Sequence, residues 1–337
     1  MIEALESYLE ANPKDVDKVY EIAQNKKYQD TLKGLDRYTP IDYQSDKYDN
    51  ARSVKISTGF KSLDAYAMPR RGYVTVILSP LNHGKTLLSD MLIYNHLVNT
   101  ENTKVMLFKY EGACFDSMSH LTYLTYIDMY DRGMLGDNKK YWRMPYYDYD
   151  KAIVQKGNPI AVADDRIQKR LCDRLFVYDK PYPVDTLMTK IRHALKTNND
   201  VQMVVVDYFQ IIETSRDSAT RQGIMAIIAA ELKSIASENN VSLITPGQLK
   251  VEGKNIKCKK DAMSVYNARE AKDISNLGDV VYGWWNETVF QMQQNCEDMS
   301  DDIQYCELDV LKTRKQKMVS GLKFRIDKNY SRIVEGH

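Results

Sequence analysis

YVTVILSPLNHGKT, residues Tyr73–Thr86, decides how the rest of the chain is read. Val74, Val76 and Leu78 alternate with Thr75 and Ile77 in a β-branched run that predicts a buried strand. The run ends at Ser79-Pro80, and Gly84-Lys85-Thr86 opens an apolar helix that continues through Leu87, Leu88, Met91 and Leu92. A strand, a tight loop and Gly-Lys-Thr at a helix start form the pattern of a phosphate-binding loop. Ser79, Asn82, His83, Gly84, Lys85, Thr86 and Leu87 are therefore the candidate nucleotide contacts. Lys85 would reach the outer phosphates of ATP, and the Thr86 hydroxyl would meet Mg²⁺. In the pattern G-x-x-x-x-G-K-[ST] the first position here is Ser79, which fits only if its φ stays negative. The alternative is a loop of this shape that has lost its nucleotide.

Composition allows either one large α/β domain with a small appendage or two domains: 337 residues, 43% hydrophobic and 28% charged. A formal net charge of +1 means that any nucleic-acid contact must come from local patches. No apolar run is long enough to span a membrane, and the opening MIEALESYLEANPKD is too acidic for a signal peptide, so a cytoplasmic location is expected. Cys114, Cys172, Cys258, Cys296 and Cys306 are scattered without a C-x-x-C and read as free thiols in a reducing compartment. The chain has 24 Tyr against 7 Phe, many of the tyrosines between Tyr110 and Tyr182, which suggests aromatic packing with hydrated edges.

Residues 1–50 are polar, with short helical patterns at Ile2–Leu9 and Asp15–Ile22. They read as an arm or linker docking on a neighbouring subunit, or equally as a helix pair on its own core. The segment STGFKSLDAYAMPRRGYV leads into the first strand. Strands are then expected at Lys104–Lys109, Leu175–Tyr178, Val201–Val206, Val241–Thr245, Asp279–Trp284, Ile303–Leu311 and Gly321–Ile326. Helices are expected at Thr86–Leu97, Val184–Thr197 and Arg221–Asn239, with an irregular helical region at Ala113–Arg170. Alternation of this kind predicts an α/β fold: a mainly parallel sheet covered on both faces, with the late strands added antiparallel at one edge.

Several polar residues fall at the C-terminal ends of apolar strands, where open α/β sheets bind ligands. Asp207 ends VQMVVV and suits a carboxylate that holds Mg²⁺ through water beside Thr86; a turn aspartate is the alternative. Glu111 follows the second strand, placed to act on water attacking the γ-phosphate, or else simply solvated. Gln248, at the end of another strand, could sense that phosphate. KVEGKNIKCKK, with Lys250, Lys254, Lys257, Lys259 and Lys260, could track a nucleic-acid backbone or be a solvated loop. KTRKQK, with Lys312 and Arg314, could supply a finger to a neighbour's nucleotide site or contact DNA; charge alone does not separate these.

Together these motifs resemble the DnaB-type, RecA-like replicative helicases over about Thr58–Ile333. TGFKSLDAY resembles the family's T-G-x-x-x-L-D segment, and VVVDYFQII its I-D-Y-L-Q-L stretch. ELKSIASENNVSLITPGQLK resembles the helix and strand that end in S-Q-L, with Gly247 in place of Ser. LKTRKQKMVSGLKFRIDKNYSRI resembles the closing K-x-R, G-x-x-x-L-x-F and F-S-R-F series. The resemblance implies a RecA-like ATPase core over residues 51–337, ATP and Mg²⁺ as ligands, and 5′→3′ helicase action by a ring, most often a hexamer, on single-stranded DNA. It assigns phosphate and metal contacts to Lys85 and Thr86, the catalytic base to Glu111 (K-Y-E-G for S-L-E-M), the Walker B acid to Asp207 and the phosphate sensor to Gln248. Lys312 and Arg314 become the pair acting on the adjacent subunit, and loops around Thr214–Arg221 and Lys250–Lys260 face the DNA channel, so that Arg221 joins the lysines as a DNA contact. Primase, a helicase loader and polymerase are the implied protein partners. Small size and divergent motifs suggest a phage or mobile-element member, hence a host cytoplasm. A recombinase or DNA-bound regulatory ATPase without unwinding activity, and an assembly protein that scarcely hydrolyses ATP, are the competing classes.

Overall fold

The alternating run at Val74–Ser79 is the first strand of the computed structural model, which describes residues 54–136, 140–198, 200–213, 220–249, 258–263, 277–295, 302–314 and 316–336. These residues all belong to the unit Arg52–His337; the arm expected over residues 1–50 lies outside them. In chain order the elements are α1 (Lys61–Asp64), β1 (Val74–Ser79), α2 (Lys85–Asn99), β2 (Lys104–Lys109), α3 (Cys114–Asp131), α4 (Tyr146–Ile153), α5 (Pro159–Cys172), β3 (Leu175–Tyr178) and α6 (Val184–Thr197). They continue with β4 (Val201–Asp207), α7 (Arg221–Asn239), β5 (Ser242–Gln248), α8 (Lys259–Ala262), β6 (Val280–Asn286), α9 (Glu287–Asn295), β7 (Ile303–Thr313), β8 (Leu322–Asp327) and β9 (Arg332–Glu335).

Among the described residues the strands form one sheet in the order β3-β2-β4-β5-β1-β6-β7-β8-β9. The period of two along β1 separates its two cores. Val74, Val76 and Leu78 pack with Leu187 and Ile191 of α6 and with Met225, Ile228 and Leu232 of α7. Ile77 packs on the opposite face with Leu88, Met91 and Leu92 of α2. Every residue of β1 is buried, as a strand covered on both faces requires. The mainly parallel α/β sheet is thus as expected, with β1 central and its C-terminal end feeding the phosphate loop.

The strands differ from the sequence expectation in several places: β9 (Arg332–Glu335) is an addition, β7 runs on to Thr313, and β5 and β6 differ in ways that matter for the site. β5 does not stop at Thr245 but runs through Pro246 to Gln248, pairing Ile77 with Pro246 and Ser79 with Gln248. A proline ordinarily argues against a central strand because it lacks an N–H. Here the pairing with β4 runs only through Ile244, so Pro246 lies beyond that ladder. β6 is parallel to β1, and the antiparallel additions begin only at β7. The connection from β5 to β6 is long enough to carry the chain back to the other end of the sheet, which a parallel neighbour needs.

The tyrosine-rich region forms α3, α4 and α5 around a small core of their own, built on Tyr123, Tyr126, Tyr149, Ile160 and Ile167. The hydroxyls of its three buried tyrosines are satisfied by protein, whereas Tyr147 is exposed. Tyr123 Oη donates to the Met144 carbonyl (2.9 Å), Tyr126 Oη to the Trp142 carbonyl (2.9 Å) and Tyr149 Oη to Asp164 Oδ1 (2.6 Å). Buried phenols need such partners, which explains why the hydroxyls fall where they do.

Candidate active site

The loop between β1 and α2 turns left-handed at Asn82 (φ 63°) and Gly84 (φ 89°), and not at Ser79. Ser79 therefore fits the first position without the freedom of glycine. Its carbonyl accepts from the Leu249 N–H at 2.9 Å, tying the loop to the end of β5. At Gly84 the left-handed conformation calls for glycine, and a Cβ there would press on Ile326 Cδ1 at 3.2 Å. The helix that follows has no side-chain cap among the described residues, so its first-turn N–H groups face the cleft end of the sheet.

His83 was expected among the nucleotide contacts, but its side chain turns inward onto β6. It is 1% exposed, its Nδ1 accepts from the Asn286 N–H at 3.0 Å, and its carbonyl accepts from Trp284 Nε1 at 2.7 Å. Only its backbone remains for a phosphate. Burial pushes the His83 imidazole down to about 4, against a smaller opposing effect of Glu287. The unfolded chain takes up a proton near pH 6.5 that the folded loop refuses, so this contribution is full above that pH and is lost as pH falls toward 4. The loss should approach about 3 kcal/mol. Denaturant unfolding at pH 7.5 and 4.5 measures it, and His83→Asn, whose carbonyl still accepts but does not titrate, should flatten the dependence.

The loop opens on a cleft of about 570 Å³, a size suited to a nucleotide, lined by Asn82, Lys85, Thr86, Asp90, Lys109 and Glu111 among others. Lys85 Nζ stands 3.5 Å from Glu111 Oε2 and 5.1 Å from the Tyr208 ring centre. Lys109 Nζ pairs with Asp207 Oδ2 at 2.6 Å, both side chains being almost fully buried. Burial raises the Asp207 carboxyl above the usual range, with Lys109 opposing. Asp207 Oδ1 is buried without a hydrogen-bond partner, an orphaned acceptor that fits the water shell of a hard cation such as Mg²⁺. Leu87 packs toward the core, leaving only its backbone for the loop.

Gln248 lies level with Ser79, and Gln210 clamps its backbone: Gln210 Oε1 accepts from the Gln248 N–H (2.6 Å) and Gln210 Nε2 donates to its carbonyl (3.2 Å). The neighbouring Gly247 stands where the resembled motif has Ser. A Cβ there would lie 3.1 Å from Leu78 Cδ2 and 3.3 Å from Phe209 Cε1, so this chain's core has closed over the position. Gly247→Ser should accordingly cost about 1–3 kcal/mol in thermal or denaturant unfolding by overpacking.

Lys312 and Arg314 occupy the opposite end of the sheet. Thr313 pairs with Val280, which pairs with Thr75, so the steps from there to Ser79 put roughly 13 Å of strand between the pair and the level of the phosphate loop. Arg314 Nε is 2.8 Å from Asp279 Oδ1, and Lys312 Nζ donates to the Gly278 carbonyl at 2.7 Å. Asp279 also accepts from the Val74 N–H at 3.0 Å, which fixes this cluster to the start of β1. Burial, with Lys233 and Arg314 nearby, lowers the Lys312 ammonium from its ordinary value.

Of the expected DNA contacts, Lys250, Lys254, Lys257 and the Arg221 side chain lie outside the described residues. Lys260 is exposed. The Lys259 ammonium is held by Glu307 (2.5 Å) and Asp309 (2.8 Å) of β7 within the protomer. Sequence reasoning also missed Lys109, Asp90 and the clamping role of Gln210. A signal was present for Asp90, which follows Thr86 by one helical turn.

The family model for the DnaB-like helicase C terminal domain matches residues 148–335, more than half of the chain. The replicative DNA helicase DnaB of Helicobacter pylori is 24% identical over 243 residues, 71% of this chain and 45% of that protein. The replicative DNA helicase DnaB of Mycoplasma pneumoniae is 34% identical over 101 residues, 29% of this chain and 20% of that protein. The chain thus spans less than half the length of these curated relatives. Among solved structures, the ATPase domain of G40P superposes with a TM-score of 0.67 at 16% identity, over 88% of this chain and 96% of that one. A DnaB-like replicative helicase, solved with its interactions with primase, gives 0.68 at 16% identity over 99% and 78%. These two show the fold. On the sequence match over most of its C-terminal half and more, the chain belongs to the family of DnaB-like helicase C-terminal domains.

Proposed function

We propose that this chain is an ATP-driven motor that moves on single-stranded DNA as a ring, most simply of six copies, and separates duplex ahead of it. The observation that carries the proposal is the division of charges between the two ends of the sheet. Lys85, Thr86, Glu111 and Asp207 gather around one cleft, whereas Lys312 and Arg314 sit too far along the strands to serve that cleft. A second copy placed against the cleft would bring its own Arg314 to the terminal phosphate, a head-to-tail contact that closes into a ring.

In this mechanism the first-turn N–H groups of α2 and the Lys85 ammonium hold the phosphates. Thr86 and Asp207 would hold Mg²⁺ through oxygen, and when bound the ion neutralises the outer phosphate oxygens. Glu111 takes the proton of the attacking water. Gln248, level with the start of the loop, meets the terminal phosphate and passes its loss to the chain beyond β5. Lys250, Lys254, Lys257 and Lys260, with Arg221, would contact the DNA backbone from that side. Primase, a loader or polymerase would be the protein partners, and the host cytoplasm the setting.

The test combines ATP turnover with and without single-stranded DNA and unwinding of a forked duplex. Stimulated turnover with unwinding is the expected result. Stimulated turnover without unwinding would favour a recombinase or regulatory ATPase, and no turnover at all would leave only a nucleotide-binding assembly protein.

A further inference from the structure

β2 ends in a charge that the mechanism above does not use. Lys109 is in register with Asp207, the last residue of β4, and the ammonium–carboxylate distance of 2.6 Å joins two side chains only 4% and 3% exposed. Lys109 forms part of the cleft wall together with Lys85 and Thr86. A buried carboxylate left alone is costly, so a cation on Asp207 Oδ2 stabilises the site before any ligand arrives. An ammonium has three donors, and the contact with Asp207 uses one of them. Asp207 in turn keeps Oδ1 without a hydrogen-bond partner, so a metal's water shell and Lys109 can share the same carboxylate.

We propose that Lys109 is a resident cation of the triphosphate site: it neutralises Asp207 in the empty protomer and then donates to the outer phosphate oxygens, which reduces the need for a divalent ion in binding a nucleoside triphosphate. The proposal rests on the assignment of this cleft as the nucleotide site. Lys85 then approaches the polyanion from the first turn of α2, and Lys109 from the end of β2. Charge-assisted contacts of this type in a shielded cleft are the strong ones.

The experiment is an equilibrium titration of the full chain with a fluorescent ATP analogue (mant-ATP), in excess Mg²⁺ and in EDTA. Wild type should weaken by no more than about tenfold on removal of the metal. Lys109→Met should weaken by about tenfold or more beyond that in EDTA, and by less than about threefold in Mg²⁺. Because Lys109→Met leaves Asp207 unpaired and can fold poorly, the double variant Lys109→Met/Asp207→Asn removes both charges. In EDTA, where Asp207 has no metal to hold, the double variant should bind as weakly as the single one. Wild-type affinity of the double variant in EDTA would overturn the role of Lys109, as would equal losses in both conditions, or a wild type that binds only with Mg²⁺. Those results would leave the nucleotide site standing. A wild type that binds in neither condition would instead overturn the assignment of the site, and Lys109 with it.

Discussion

An Arg314→Ala variant should hydrolyse ATP roughly 10³–10⁵-fold more slowly than wild type while binding nucleotide almost as well. The size follows from what a rigid guanidinium does at a transferring phosphoryl group, where charge develops only in the transition state. The split between turnover and binding follows from place. Arg314 sits by Asp279 at the start of β1 and β6, far from the cleft of its own subunit, so its loss leaves the local phosphate contacts intact. Its side chain is about half exposed, and Lys233 Nζ also lies 3.5 Å from Asp279 Oδ1, so Asp279 keeps a cation when a neighbour's phosphate draws Arg314 away. Single-turnover hydrolysis and mant-ATP titration measure the two quantities separately. Unchanged turnover would remove Arg314 from the site.

Glu111→Gln should lower turnover by roughly 10²–10⁴-fold, the range for removal of a general base. The carboxylate is about half exposed at the mouth of the cleft, 3.5 Å from Lys85, which places it at the phosphate end of the site with access to water. Glutamine keeps the shape and removes the proton acceptor, so nucleotide binding should survive. It should even tighten slightly, because Lys85 no longer has a carboxylate competing with phosphate. A variant that loses binding and turnover together would show that Glu111 holds the loop instead of acting on water.

The parts of the site that sequence made legible are those whose chemistry sits on a local pattern. β1, the Gly-Lys-Thr turn and α2 follow from the alternation of Val74–Leu78 and the apolar helix after Thr86, signals contained within one stretch. Asp207 and Gln248 were found because each closes an apolar run, and register then shows Gln248 level with Ser79. What sequence could not show depends on neighbours brought together from far along the chain. The inward turn of His83 is set by Trp284 and Asn286, two hundred residues later, and no local pattern encodes it. Lys259 looked like one more lysine of a basic run until β7 placed Glu307 and Asp309 against it. Likewise β6 looked like the first of a set of antiparallel strands because spacing along the chain gives no direction, whereas its pairing with β1 does. Lys109 was overlooked for the same reason: only the register of β2 with β4 puts it on Asp207.

In the proposed ring the nucleotide cleft of one copy is completed by a cation from another. Two variants silent on their own, Lys85→Ala and Arg314→Ala, test it when mixed in equal amounts and assayed for ATP turnover in the presence of single-stranded DNA. In a head-to-tail ring about a quarter of the contacts in the mixture would join an intact phosphate loop to an intact finger, so a matching fraction of wild-type turnover should return. No recovery above the sum of the two variants, under conditions where both assemble, would mean that each copy works with its own residues alone and would contradict the account.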